Sequence, residues 1–210
     1  MLAAVLAALM AALPAGTGQS DAAIAHVATS RRVVALTVND GPDGRVTPMI
    51  LRLLRERGAH ATFFVSGEEL RDDPQMLLEI QAAGDEIGNH AFHHRPLAGR
   101  PYREVIAELV RTRDLIASAS QLPDPYLRPP YGVVDAGVLR AARALGLRVV
   151  LWNVGERDEA LHAPPKSVHA GDIISLRDDA EGLRRLRQVL DLLQREHLTG
   201  VSLGMLLART

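Results

Sequence analysis

The chain has 210 residues, 47% of them hydrophobic and 23% charged, with a formal net charge of −1. That is apolar material for one domain with a sizeable core, and the balanced charge leaves no electrostatic footprint for nucleic acid. Lys166 is the single lysine and there is no cysteine, so disulfides and thiolate metal sites are excluded and any metal must be held by His, Asp or Glu.

Residues 1–13 are apolar and uncharged and end at Pro14. The run is far short of the ~20 residues that span a bilayer, so no stable membrane span is expected. It matches the apolar region of a secretory signal peptide, with Ala23-Ile24-Ala25 as a small-x-small cleavage site before His26, although no Lys or Arg precedes it. Residues 1–28 are therefore expected to be a signal peptide or an N-terminal extension, and 29–210 the folded domain. The location that follows is secreted, periplasmic or envelope-associated, or cytoplasmic if the run is not a signal.

From Arg31 onward, short β-branched or aromatic runs alternate with longer periodic segments. Strands are expected over 33–38, 61–65, 86–90, 126–128, 149–152, 172–176 and 201–203, and helices over 47–57, 74–83, 103–118, 135–145 and 180–196. Thr47-Pro48 and Asp73-Pro74 read as caps followed by proline at the first helical position. Gly58, Gly84 and Gly146 read as C-terminal caps. Strict β-then-α alternation argues for an α/β fold with a parallel sheet, either open and doubly wound or closed into a barrel. About seven strands suit an irregular barrel, and in both architectures function gathers at the carboxyl ends of the strands.

Those ends carry Asn39-Asp40-Gly41-Pro42, Ser66-Gly67, Asn89-His90 continuing to His94, Arg128 to Gly132, Trp152-Asn153 and Arg177-Asp178-Asp179. His90, His93 and His94 with Asp40 are the strongest chemical feature. Two histidines at i, i+4 and one carboxylate can hold a divalent ion such as zinc and leave coordination positions open for water. On spacing alone, H-x-x-H-H is equally a loop of capping and surface histidines, and Asp before Gly-Pro is a common turn former. Trp152, the only tryptophan, either lines a ligand groove or is core.

Taken in order, these residues resemble the polysaccharide deacetylase family, the NodB-homology or carbohydrate esterase 4 type. The family's opening T-F-D-D-G-P reads Thr37-Val38-Asn39-Asp40-Gly41-Pro42, and its A-T-F-F-V-x-G segment stands unchanged at 61–67. Its G-N-H-[ST]-x-x-H-P box appears at 88–96, its R-P-P-Y-G loop is intact at 128–132, and its final L-x-H-D reads Ser175-Leu176-Arg177-Asp178. The resemblance covers about residues 31–203. It implies a distorted (β/α) barrel and a metal-dependent hydrolase that removes acetyl groups from N- or O-acetylated glycans such as chitin or peptidoglycan, cleaving a carbon–nitrogen bond that is not a peptide. It also implies Asp40, His90 and His94 as ligands of zinc or a similar divalent ion. Arg128 would orient the catalytic carboxylate, Asp158 would support Arg128, and the Tyr131 N–H would stabilise the oxyanion. Pro130, Tyr131 and Trp152 would line the substrate groove.

Two departures stand at the reacting positions. The family's catalytic base is replaced by Asn39, whose amide has no lone pair of useful basicity. Its catalytic acid is replaced by Arg177, whose guanidinium does not give up a proton below about pH 12. Glu159 and Ala91 are further substitutions. The sequence therefore leaves open a working deacetylase with a relocated base, for which His93 and Asp43 are the neighbours in sequence. It also leaves a catalytically weak or inactive relative that binds metal and glycan; a metal-free interaction domain is the third reading, against which the intact Asp40, His90 and His94 set and the intact loop at 128–132 argue.

Overall fold

The computed structural model describes residues 22–120, 125–155 and 167–208. Its elements run β1 (Val33–Asn39), α1 (Thr47–Glu56), β2 (Ala61–Val65), α2 (Gly67–Asp72), α3 (Met76–Ala82), β3 (Glu86–Asn89), α4 (Tyr102–Ala119), β4 (Tyr126–Leu127), α5 (Ala136–Ala144), β5 (Arg148–Val149), β6 (Ile173–Arg177), α6 (Ala180–Arg195), β7 (Thr199–Val201) and α7 (Leu203–Leu207). The strands pair in parallel in the order β5-β4-β3-β2-β1-β6, with β7 beside the start of β1. Val154, beyond β5, bridges Ile174 on β6, so the sheet curls until its two edges meet. The result is the expected distorted (β/α) barrel.

Alternation along the strands sorts the core into layers. Val34, Leu36 and Val38 of β1, with Ala61, Phe63 and Val65 of β2 and Ile174 and Leu176 of β6, pack outward with Ile50, Leu54, Leu77, Leu186 and Leu190 from the helices. Val105 and Leu109 of α4 and Val138 and Ala141 of α5 cover β4 and β5. The barrel interior holds Ala35, Phe64, Tyr126, Val150, Trp152 and Ile173, and Leu203 and Leu206 of α7 plug its lower end. Polarity rises toward the upper rim: β1 runs Ala35, Thr37, Asn39 and β6 runs Ile173, Ser175, Arg177 on alternate positions, and all but Arg177 are buried. The rim is therefore the end of the barrel that the sequence equips with chemistry.

Several expectations are corrected. Thr47 does not cap α1. No side chain does: Asp43 Oδ1 accepts the N–H groups of Arg45 and Val46, at 2.8 Å each, in the turn that precedes the helix, while the Thr47 hydroxyl donates to Asp178. Asp73-Pro74 does not open α3, which starts at Met76 after a turn. The expected strand over 201–203 ends at Val201, because Ser202 accepts the Met205 N–H and starts α7. The helix α2 has no counterpart among the expected elements; its six residues are too few to show a period. Residues ahead of the expected boundary at 28 also touch the sheet. The Ile24 N–H donates to the Val149 carbonyl at 2.9 Å, the Leu151 N–H donates to Ile24 at 2.7 Å, and Ile24 and Val27 pack on the interior cluster. The small-x-small sequence Ala23-Ile24-Ala25 is thus a rung of the sheet. A chain starting at Thr29 should be less stable than one starting at Ala22 by roughly 2 kcal/mol, the scale of two lost sheet hydrogen bonds and two half-buried aliphatic side chains. Thermal unfolding of the two chains checks this.

At the lower end, burial pushes the Asp85 carboxyl up to about 6, against the Ala61 N–H it accepts at 2.8 Å and the neighbouring His60, with Glu86 adding to the rise. Between about pH 4 and that value the folded protein holds a proton that the unfolded chain has released, so stability falls as pH rises through this window. Asp85→Asn keeps the acceptor for Ala61 and removes the linkage. Its unfolding free energy should change less with pH from 4 to 6 and exceed the parent's at pH 7 by up to about 2 kcal/mol, read by denaturant titration at each pH.

Candidate metal centre

Two turns set the site. After β1, Asp40 takes φ 71°, a left-handed conformation that Asp tolerates better than most residues. Gly41 follows, and a Cβ there would come within 2.0 Å of Asp178 Oδ2, so this turn packs on a buried carboxyl that only glycine admits. After β3, Asn89 locks the loop: its Nδ2 donates to the Leu109 carbonyl and its Oδ1 accepts the Ala91 N–H, both at 2.9 Å. The Ala91 and Phe92 carbonyls accept from Gly67 and Glu68 at the start of α2, which brings His90 and His94 over the barrel mouth.

Asp40, His90 and His94 converge there, with one donor atom from each lying within 4.8 Å of the others, and no other such trio occurs among the described residues. The Nε2 atoms of His90 and His94 lie 3.2 and 3.1 Å from Asp40 Oδ1. His90 Nδ1 lies 2.6 Å from the Arg128 carbonyl, which can only accept, so Nδ1 carries a proton and Nε2 is the ring atom turned toward Asp40 as a ligand. Asp40 Oδ1 is buried and accepts no hydrogen bond among the described residues. Lone pairs facing lone pairs are a balanced arrangement only when a cation lies between them, so these three residues fit a divalent ion, with the His90 ring oriented from behind by a backbone carbonyl. Electrostatics agree. Burial pushes the Asp40 carboxyl up, but its contact with His90 and the charges of His90, His94 and Arg177 outweigh this and hold it below the usual range. Burial pushes the His94 imidazole down and, with smaller help from the His90 and Arg177 charges, outweighs the opposing effect of Asp40, which favours the unprotonated ligand form.

Beneath the trio, Arg128 is fully buried. Its Nη1 donates to Thr37 Oγ1 at 2.6 Å and Asn39 Oδ1 at 2.9 Å, Nη2 to the Leu151 carbonyl at 2.9 Å, and the guanidinium lies 4.2 Å above the Phe64 ring. Asn39 donates in turn to Ser175 Oγ at 2.9 Å. Arg177 lies in register with Asn39 across the sheet, its Nε 3.5 Å from Asp40 Oδ2 and 3.1 Å from Asp179 Oδ2.

The remaining expected residues fall out differently. Tyr131, at φ 61° and 59% exposed, sets its ring 4.7 Å from that of His94. Pro130 is buried. Trp152, two residues beyond the bridge at Val150, is 7% exposed and packs in the barrel-interior cluster. His93 is not turned to the trio: its Nδ1 lies 2.7 Å from Glu108 Oε1 on α4, and its N–H donates to the other oxygen of that carboxylate. Asp158 and Glu159 lie outside the described residues, as does the apolar run over 1–13. Sequence reasoning missed Ser175, Thr37 and Glu108. Inward alternation on β1 and β6 could have found the first two, but nothing local marks Glu108. It also missed Asp178, whose carboxyl burial pushes up to about 6.

Fold and rim together define a parallel α/β barrel protein with a two-histidine, one-aspartate trio at the carboxyl ends of its strands. The chain belongs to the polysaccharide deacetylase family, whose model matches residues 26–150. It is 31% identical over 170 residues to a peptidoglycan-N-acetylmuramic acid deacetylase, PdaA, of Bacillus subtilis, covering 74% of this chain and 65%, just under two thirds, of that relative. It is 34% identical over 153 residues to a chitooligosaccharide deacetylase of Sinorhizobium fredii, covering 69% of this chain and 71% of the relative. Among solved structures, BA3943, a carbohydrate esterase 4 family pseudoenzyme from Bacillus anthracis, superposes with a TM-score of 0.83 at 22% identity over 90% of this chain and 70% of that one. At that identity the likeness is one of fold.

Proposed function

We propose that the chain holds a divalent ion, zinc in the first place, on Asp40, His90 and His94 and binds an acetylated glycan of the peptidoglycan or chitin type over it. We infer further that it releases acetate far more slowly than a relative carrying Asp and His at positions 39 and 177. The glycan class is taken from the names of the two deacetylases to which the chain is similar, and a location at the cell envelope, where such polymers lie, is part of the proposal.

A bound divalent ion supplies acidity to a water and polarises an acetyl carbonyl. What the chain's own residues add is orientation without proton transfer. The observation that carries this is the bonding of Asn39, whose Oδ1 accepts from Arg128 while its Nδ2 donates to Ser175. Both ends of the amide are committed and neither can take a proton. Arg177 cannot return one to a leaving amine. His93 is held by Glu108, and Asp43 Oδ1 accepts the Arg45 and Val46 N–H groups in the turn before α1, so both neighbours are engaged away from the trio. Tyr131 takes a left-handed turn and sets its ring beside that of His94, which supports its N–H as the donor that would meet an oxyanion.

The test measures both binding and turnover. Zinc-loaded protein is titrated with acetylated chito-oligosaccharide and peptidoglycan fragments by calorimetry, and acetate release is followed on the same substrates, with Asp40→Asn as blank. Zinc-dependent binding with release near the blank is expected. Rapid release that disappears in Asp40→Asn would make the chain a working hydrolase with a base elsewhere.

A further inference from the structure

We infer that Arg177 is a built-in rival of the metal: its fixed charge on Asp40 weakens the divalent-ion affinity of the trio. This inference rests on the proposal that Asp40, His90 and His94 hold an ion. The aspartate is divided between two sets of neighbours, with Oδ1 facing both imidazole Nε2 atoms and Oδ2 facing Arg177 Nε at 3.5 Å. A cation taken up at Oδ1 therefore meets a carboxylate whose charge is already shared, and a permanent positive charge stands on its far side. Charges a few ångströms apart in a half-buried site are weakly screened. A histidine at this position could stay neutral while the ion is bound, whereas a guanidinium cannot.

Arg177 is also held in place. Asp179 accepts the Gly182 N–H at 2.7 Å through Oδ1, capping α6, and faces Arg177 through Oδ2 at 3.1 Å. A Cβ on Gly182 would come within 1.9 Å of the Arg177 carbonyl oxygen, so the first turn of α6 lies directly against the backbone that carries the guanidinium. The side chain is half exposed, which lets it be exchanged without opening the core.

Calorimetric titration of the metal-free full chain with zinc chloride tests this, using the parent, Arg177→Gln, Arg177→Lys and Asp40→Asn. Arg177→Gln should bind zinc 10–100-fold more tightly than the parent, the range over which groups behind metal ligands act. Arg177→Lys, which keeps the charge, should stay within about threefold of the parent. Equal affinity in Arg177→Gln and parent, with the same fold by circular dichroism, overturns the inference, and so does an equal gain in Arg177→Gln and Arg177→Lys. Zinc binding that is absent from every variant, or that is as tight in Asp40→Asn as in the parent, overturns the assignment of the trio and the inference with it.

Discussion

Asn39→Asp combined with Arg177→His should raise zinc-dependent acetate release from acetylated chito-oligosaccharide by at least about 10³-fold over the parent, since a general base and a general acid each contribute roughly 10²–10⁴-fold. The surroundings of residue 39 are already suited to a carboxylate. Arg128 Nη1 would face it at the 2.9 Å it now keeps from the Asn39 oxygen, favouring the charged form. Ser175 Oγ, at 2.9 Å, need only rotate its hydroxyl from accepting to donating. At position 177 an imidazole, when neutral, lifts a fixed charge from Asp40 and, when protonated, delivers the proton that a guanidinium withholds. Each single substitution should recover less than its share, because a base without an acid leaves the amine unprotonated and groups that act as a unit are not additive. A double variant that folds and binds zinc but releases no acetate from chito-oligosaccharide or peptidoglycan would mean that the groove itself has departed from the family.

The second large effect is on metal binding. Asp40→Asn should lose zinc affinity by at least about 10²-fold, because the trio keeps two neutral imidazoles and loses its only charge, while Arg177 remains beside it. Asparagine tolerates the left-handed backbone at φ 71°, so the variant should unfold close to the parent. Asp40→Ala should lose the same affinity and about 1 kcal/mol of stability besides, since alanine has no polar side chain to support that conformation. Calorimetry and thermal unfolding of the two variants separate the ligand role from the backbone role. Equal zinc affinity in the Asp40→Asn variant and the parent would remove Asp40 from the site.

The alternation of β-branched runs with periodic segments is enough to imply a parallel α/β sheet, because strand and helix periods are local properties of the chain. The rim is legible for the same reason: Asp40, His90, His94, Arg128 and Arg177 all stand at or just after the end of a strand. The departures at Asn39 and Arg177 are likewise visible in sequence, since an amide and a guanidinium carry the same proton chemistry wherever they stand. Tertiary structure decided the rest. Only packing shows that His93 belongs to Glu108, 15 residues away, and that Trp152 is core. Only the closing of the sheet enlists Ile24, whose partners at Val149 and Leu151 lie more than a hundred residues on and leave no mark in the local sequence. The division of Asp40 between two imidazoles and Arg177 is of this kind too: it exists because β1, β3 and β6 end at one height, a matter of register across three strands.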